Sequence, residues 1–445
     1  MFSLLRRFVA LALIVTPPLA AQDVEGFVRE AVRANLGVRA ADAAVRRDRH
    51  AADAAARWRI PTLGITAQWV ELEGGADVGR LVNPAFAALN QLLGTAAFPT
   101  DVSFTFPQRQ DARIRLAAPI LDPSRGAVTA EARGARALQE ALRDVTARDV
   151  ELGVRRALIG HARAQAEASL RGTVLAAVRE ELRAAERRVA GGVATPDAVL
   201  RARADVAEAE QRLLEATQRT AQARRAVNRL ARRPLDSEVP MVMPETMPSA
   251  LPTSLDDATA AALRQREERE AASAQVQRAR AGQRAASAAT RPVISAALDY
   301  GFQGDRWRFT RENDLAQLTV MGSWTPFQPG RDAARRAAAR AEAERAELGI
   351  ADVEAEVTRQ VADAWDAHAT AMAALVPATA RREAATRTWT LVRRRWDEGL
   401  ASHLELVSAR AAATAADLEL LLARHAVADA AVALARAVGA GSPIR

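Results

Sequence analysis

The sequence predicts a mostly α-helical chain with a small β part, built by internal tandem duplication. Three observations predict it. Two stretches, "RRVAGGVATPDAVLRAR" (187–203) and "RRWDEGLASHLELVSAR" (394–410), match position for position, and 394 − 187 = 207. A strict seven-residue apolar repeat follows each of them. Four short stretches upstream alternate apolar and polar residues with period two.

The duplication runs through the chain. "APILDPSRGA" (118–127) aligns with "TPFQPGRDAA" (325–334), pairing Pro119 with Pro326, again 207 apart. Upstream, Pro61 pairs with Pro292, and 292 − 61 = 231. The first half therefore carries 231 − 207 = 24 extra residues between its two prolines. A leader is expected at 1–21, a first repeat at 22–232, a linker at 233–253, a second repeat at 254–438 and a tail at 439–445. Prolines 234, 240, 244, 248 and 252 forbid helix in the linker.

Each repeat reads in the same order. A helix comes first (24–59; 254–290). Two strands follow (61–73 with 110–119; 292–302 with 314–326). A very long helix (124–190; 331–398) and a last helix (196–232; 402–438) close the repeat. In the last helices, Val199, Val206, Leu213, Thr220 and Val227 form one seam row and Ala202, Ala209, Ala216, Ala223 and Leu230 the other. Leu406, Ala413, Leu420, Val427 and Leu434, with Ala409, Ala416, Ala423, Ala430 and Ala437, repeat it. A seven-residue period implies a left-handed antiparallel coiled coil, and alanine in one row lets the axes approach closely. A helix of about 68 residues is roughly 100 Å long, so two stacked short helices match one long one and give a rod. Pro377, inside the second long helix, is expected to kink it.

The strands fit two settings. Ile294, Ala296, Leu298, Tyr300 and Phe302 share one face, opposite Ser295, Asp299 and Gly301. Leu63, Ile65, Ala67 and Trp69 alternate with Thr62, Gly64, Thr66 and Gln68. About 10 residues per strand suffice to cross a bilayer, with Trp69, Tyr300 and Trp324 as an interfacial aromatic belt. The same alternation serves a small sheet packed on helices. In a membrane four strands leave open edges, which lipid penalises heavily, so other copies must complete the sheet.

Composition narrows the class. Only 4% of the residues are aromatic, too few for several ordinary cores. There is no cysteine, which excludes disulfides, thiol catalysis and cysteine metal sites. The net charge of +8 comes entirely from arginine, interleaved with acids along helices, and no nucleic-acid-reading motif occurs. Arg6 and Arg7, the apolar run Phe8–Val15 and the small residues through Ala21 read as a secretory signal peptide. No later stretch is long and apolar enough for a transmembrane helix. The five histidines lack ligand spacing, and no hydrolase, nucleotide-binding or zinc-protease motif is present. No catalytic residue, metal or cofactor is expected.

These features together resemble the TolC family of outer-membrane efflux proteins. The resemblance covers both halves. It rests on the strand starts "IPTLGI" and "RPVISA", the junctions at Pro119 and Pro326, and the two turns followed by heptad helices. It implies a homotrimer in which each chain gives four strands to a 12-stranded outer-membrane β-barrel and its helices to an α-helical barrel in the periplasm. It further implies an exit duct for tripartite efflux or type I secretion, partnered by a periplasmic adaptor and an inner-membrane transporter. The alternative is an outer-membrane-anchored coiled-coil scaffold or adhesin without a channel. One departure is that the family's Asp-Gly-Gly junction is Asp122-Pro123-Ser124 in one half and Pro329-Gly330-Arg331 in the other. Another is the long first hairpin (71–111), whose "NPAFAALNQLLG" reads as a short helix serving as a lid or as a surface loop.

The turns are helix-reversal units. Gly192 and Gly399 suit a positive φ just past a helix end. Thr195 with Pro196 reads as an N-cap with proline at the first helical position. Ser402 and Glu405 read as a capping box. By the resemblance these turns form the periplasmic tip, and Glu405 faces the pore as a ring of three that favours cations. Capping alone explains Glu405 equally well. Asp197, the nearby acid of the first half, sits one place before the position matching Glu405, and the family's second acidic position is Ser408 here.

Overall fold

The structure, a computed structural model, describes residues 24–71, 77–103, 109–193, 195–241, 251–304, 307–326 and 328–440. The expected signal peptide, the middle of the proline linker (242–250) and the end of the tail (441–445) lie outside the described residues.

Along the chain run α1 (Val24–Ala34), α2 (Leu36–Ala56), β1 (Thr62–Trp69), α3 (Gly79–Leu93), β2 (Gln110–Leu121), α4 (Arg125–Ala190) and α5 (Pro196–Leu230). Then come α6 (Leu255–Gln265), α7 (Glu267–Ala288), β3 (Val293–Gly304), β4 (Asp314–Ser323), α8 (Arg331–Asp397) and α9 (His403–Val438). No described helix is long and apolar enough to cross a membrane. Contacts divide the chain into two units, one of 1–45, 138–273 and 348–445, the other of 46–137 and 274–347.

The first unit is helical, and its core is itself duplicated. Phe27, Ala31, Val154, Val227 and Ala231 lie in one buried cluster. Ala258, Ala262, Val361, Leu434 and Val438 lie in another. The two sets match one for one, with 258 − 27 = 231 and 361 − 154 = 207. The α5 seam is buried at Ala202, Ala209 and Ala216, and the α9 seam at Leu406, Ala409, Ala413, Ala416 and Leu420. Near its end α9 departs from a simple heptad. Ala428 and Val432 bury a second face against Ile159 of α4. Pro377 removes one helical N–H but does not end α8. In the linker, Asn228 of α5 donates to the carbonyls of Leu235 (2.9 Å) and Ser237 (2.8 Å), holding the chain in a non-helical path.

The expected single helices 24–59 and 254–290 are each broken, at Asn35 and Arg266, and 266 − 35 = 231. The break is therefore part of the repeat. The Asn35 side chain accepts from the Gly37 N–H (2.8 Å), competing with the helical ladder. Arg266 takes an extended conformation (φ −73°, ψ 132°) and its guanidinium holds Glu268 (2.5 Å) and Gln360 (2.6 Å). Arg436 of α9 also donates to Glu268 (2.7 Å) and to Asp149 (2.9 Å). Burial raises the Glu268 pKa, and the guanidiniums of Arg266 and Arg436 more than offset it, holding it at about 2.

The second unit contains one antiparallel sheet in the order β1-β2-β3-β4. Register places Leu63, Leu116, Leu298 and Leu318 side by side, and next to them Ile65, Ile114, Tyr300 and Ala316. Both rows lie on one face because side chains alternate along each strand. That face is bare. Leu63 is 69% exposed, Leu298 49% and Leu318 72%, whereas Asp299 on the opposite face is 2% exposed. On that polar face Arg115 makes a two-pronged contact with Asp299 (2.7 and 3.0 Å). Arg113 pairs with Asp111 and lies over Gly301, where an added Cβ would stand 2.2 Å from the Ala112 carbonyl oxygen. One face of the sheet is apolar and uncovered, the other is polar, and β1 and β4 are free edges.

Two expectations follow. Leu298→Arg places a charge on the bare apolar face; if that face meets lipid it costs about 2–4 kcal/mol per chain, so urea titration of the folded protein in micelles shifts to lower urea. Gln317→Arg, opposite Asp299 on the polar face, leaves the midpoint nearly unchanged. Separately, Glu268 titrates below its unfolded value of about 4.3, so its contribution is present above that pH and disappears as pH falls through 2. Wild-type protein exceeds Glu268→Gln by on the order of 1–2 kcal/mol at neutral pH, after allowance for solvent screening. The gap closes between pH 4.5 and 2 in thermal melts.

Candidate functional site at the helix-reversal tips

The two aligned turns, identical at Gly192 and Gly399 but not at their N-caps, adopt one geometry. Val193 N–H donates to Arg188 O (2.9 Å) and Gly192 N–H to Val189 O (3.0 Å). Leu400 N–H donates to Arg395 O (2.7 Å) and Gly399 N–H to Trp396 O (3.0 Å). Both are Schellman turns, closed by a residue in the left-handed region, with φ of 73° at Gly192 and 79° at Gly399.

The N-caps diverge. Ser402 Oγ accepts from Glu405 N–H (3.2 Å), and the Glu405 carboxylate accepts from Ser402 N–H (2.7 Å), completing the expected capping box. That backbone bond, with the Ser402 hydroxyl, holds the Glu405 pKa below its ordinary value. Thr195 is the N-cap of α5 by position, with Pro196 at the first helical residue, but its side chain makes no capping bond. Its hydroxyl donates to the Asp197 carboxylate instead. Proline at 196 fixes the first turn without it. Asp197 also pairs with Arg201 (2.9 Å) and is held below its ordinary pKa, first by the Thr195 hydroxyl.

Two arginines, Arg188 and Arg410, join the two halves at this end of the first unit. Arg188 of α4 donates to the carbonyls of Trp396 and Asp397 (3.2 Å) in the last turn of α8. Its guanidinium lies 3.9 Å from the centre of the Trp396 ring. A cation on free helix C-terminal carbonyls is favourable. The repeat-equivalent Arg395 instead bonds Leu400 in its own turn (3.3 Å). Deeper in, Arg410 of α9 contacts Glu181 of α4 and Asp205 of α5 (3.0 Å). Glu181 is 8% exposed, and its Oε1 is buried without a hydrogen-bond partner. Burial raises the Glu181 pKa, Asp205 adds to the rise, and Arg410 only partly opposes it. Its repeat partner Arg203 meets Glu186 at 3.6 Å on the surface. Arg410 lines a cleft of about 320 Å³ with Arg171, Asp205, Glu208 and Arg212.

The structure brings Ser402 and Glu405 together, and Thr195 with Asp197. Sequence reasoning missed Arg188, Trp396, Glu181, Asp205 and Arg410. The one signal for them was asymmetry at the ends of the duplicated stretch. At the other functional region, Trp69 stacks on Trp307 (5.9 Å), and Phe309 contacts both Trp307 (6.2 Å) and Phe302 (5.3 Å). Tyr300 contacts Phe302 (6.1 Å), so Trp307 and Phe309 join the aromatic group at that end of the sheet. Trp324, just past the end of β4, donates to Thr290 O (3.1 Å).

Residues 259–440 match the family model described as Outer membrane efflux protein. This stretch is similar to the outer membrane efflux protein family. The match runs from within α6 through α7, β3, β4, α8 and α9, whose counterparts the first half repeats. No curated protein matches the sequence. Among solved structures, the outer-membrane channel OprN is similar at 20% identity, covering 94% of this chain and 90% of its own, with a TM-score of 0.76. CusC is similar at 17% identity, covering 94% and 92%, with a TM-score of 0.76. VceC from Vibrio cholerae is similar at 17% identity, covering 94% and 96%, with a TM-score of 0.74. Both halves thus share the efflux-protein fold.

Removing the central cation of the buried triad leaves two carboxylates facing each other. Arg410→Met therefore destabilises the protein by about 3–5 kcal/mol at neutral pH. The deficit shrinks on moving from pH 7 to 5, because protonating Glu181 relieves it. Thermal melts at the two pH values check this, and a pH-independent deficit contradicts it.

Proposed function

We propose that this protein is the outer-membrane exit duct of a tripartite efflux or type I secretion system. The carrying observation is the bare leucine row on an edge-open sheet whose other face is charged and polar. Such a sheet is stable in lipid only when closed. Three copies, each adding four strands edge to edge, give the 12-stranded barrel expected for the family. The polar face of the sheet then lines a water-filled lumen.

The duct is passive. The driving force comes from an inner-membrane transporter reached through a periplasmic adaptor. The adaptor meets the reversal tips near Gly192 and Gly399. There, Arg188 ties the first half to the second and keeps the tip closed. Glu405 forms a ring of three at the constriction. The capping bond uses one carboxylate oxygen, and the charge that remains favours cations.

Single-channel recording in lipid bilayers tests the reading. Purified wild-type protein conducts in a small, cation-preferring state. Glu405→Gln reduces the cation preference, and Arg188→Ala raises the conductance several-fold. A trimer that never conducts, with or without Arg188, removes the duct.

A further inference from the structure

The 24 extra residues of the first half are a folded element. Between β1 and β2 stands α3, and the returning segment is fastened to it by two asparagines. Asn83 donates to Val102 O (2.8 Å) and accepts from Val102 N–H (3.1 Å). Asn90 does the same with Phe98 (2.7 and 2.9 Å). Phe86 stacks on Phe98 (5.4 Å). Each amide mimics a strand pair, so one face of α3 is fully used by its own return path.

The opposite face is not used. Val78, Leu81, Ala85, Ala88 and Leu92 are all exposed, with Leu81 at 80% and Leu92 at 85%. Their spacing is three, four, three and four, which is the seam of a coiled coil. Arg80 is the only charged residue of the helix and stands off the seam. A neutral seam carries nothing that repels an identical copy, and alanine at its two middle layers lets axes come close.

The location selects the occupant. The insertion leaves the sheet from β1, a free edge where another copy must pair, at the end carrying Trp69 and Trp307. Symmetric closure of copies arranges equivalent helices about one axis, each presenting the same stripe to it or to its neighbour. We propose that the α3 helices of neighbouring copies pack on one another along Val78, Leu81, Ala85, Ala88 and Leu92, forming a helical lid over the barrel mouth. This rests on the trimeric duct described above.

Cysteine cross-linking tests it, because the chain contains no native cysteine. Ala85→Cys and Ala88→Cys are compared with Arg80→Cys and Gln91→Cys, in full-length protein in outer membranes treated with a mild oxidant. Trimer content is measured on the same membranes by native gel. The expected result is covalent dimers at 85 and 88 and none at 80 and 91, since one disulfide per trimer leaves the third chain single. Intact trimers with no dimer at 85 or 88 overturn the lid while leaving the duct standing. Loss of trimers in the unmodified protein removes the trimeric reading itself. As a second readout, a fluorophore on Leu92→Cys in vesicles stays unquenched by brominated phospholipid. Strong quenching assigns the stripe to lipid and overturns the proposal.

Discussion

A sheet that faces its leucines outward and leaves both edges open governs this protein. Unpaired strand edges are tolerable in water but cost several kcal/mol per backbone group in hydrocarbon. An exposed row of Leu63, Leu116, Leu298 and Leu318 is costly in water and favourable in lipid. One chain cannot satisfy both demands. Lipid for the face and another copy for the edges satisfy them together, and the charged pairs of the inner face then border an aqueous lumen.

The duplication supplies the rest economically. Two equivalent cores, one around Val154 and Val227 and one around Val361 and Leu434, hold the short helices against the long ones. Even the helix breaks at Asn35 and Arg266 recur at the repeat offset. What differs between halves is where the functional features concentrate. Arg188 crosses to the other half while Arg395 serves its own turn. Arg410 is buried between two acids while Arg203 is at the surface. Only the first hairpin carries α3.

Much of this was legible in the sequence for local reasons. Period-two alternation placed Leu298 and Asp299 on opposite faces, and the heptads located the buried seams of α5 and α9. Glycine and the Ser402–Glu405 pair marked the reversals because capping depends on neighbours three or four residues away. Which sheet face lies bare was not legible, since alternation reads the same with either face covered. The breaks at Asn35 and Arg266 escaped because the helical pattern continues through them, and Arg266 is held by distant Gln360 and by Glu268, which Arg436 also holds. Thr195 has the sequence of a cap, yet the nearby Asp197 captures its hydroxyl. The triad of Glu181, Asp205 and Arg410 joins three helices whose register no local pattern reveals.

The central claim is that the free edges β1 and β4 pair between copies in the membrane. Single cysteines along β1, each combined with one cysteine at Thr319 of β4, test it in outer membranes. The account predicts a disulfide-linked covalent trimer, peaking at one register along β1 and falling to either side. Monomers at every position, in protein correctly delivered to the outer membrane, would contradict it.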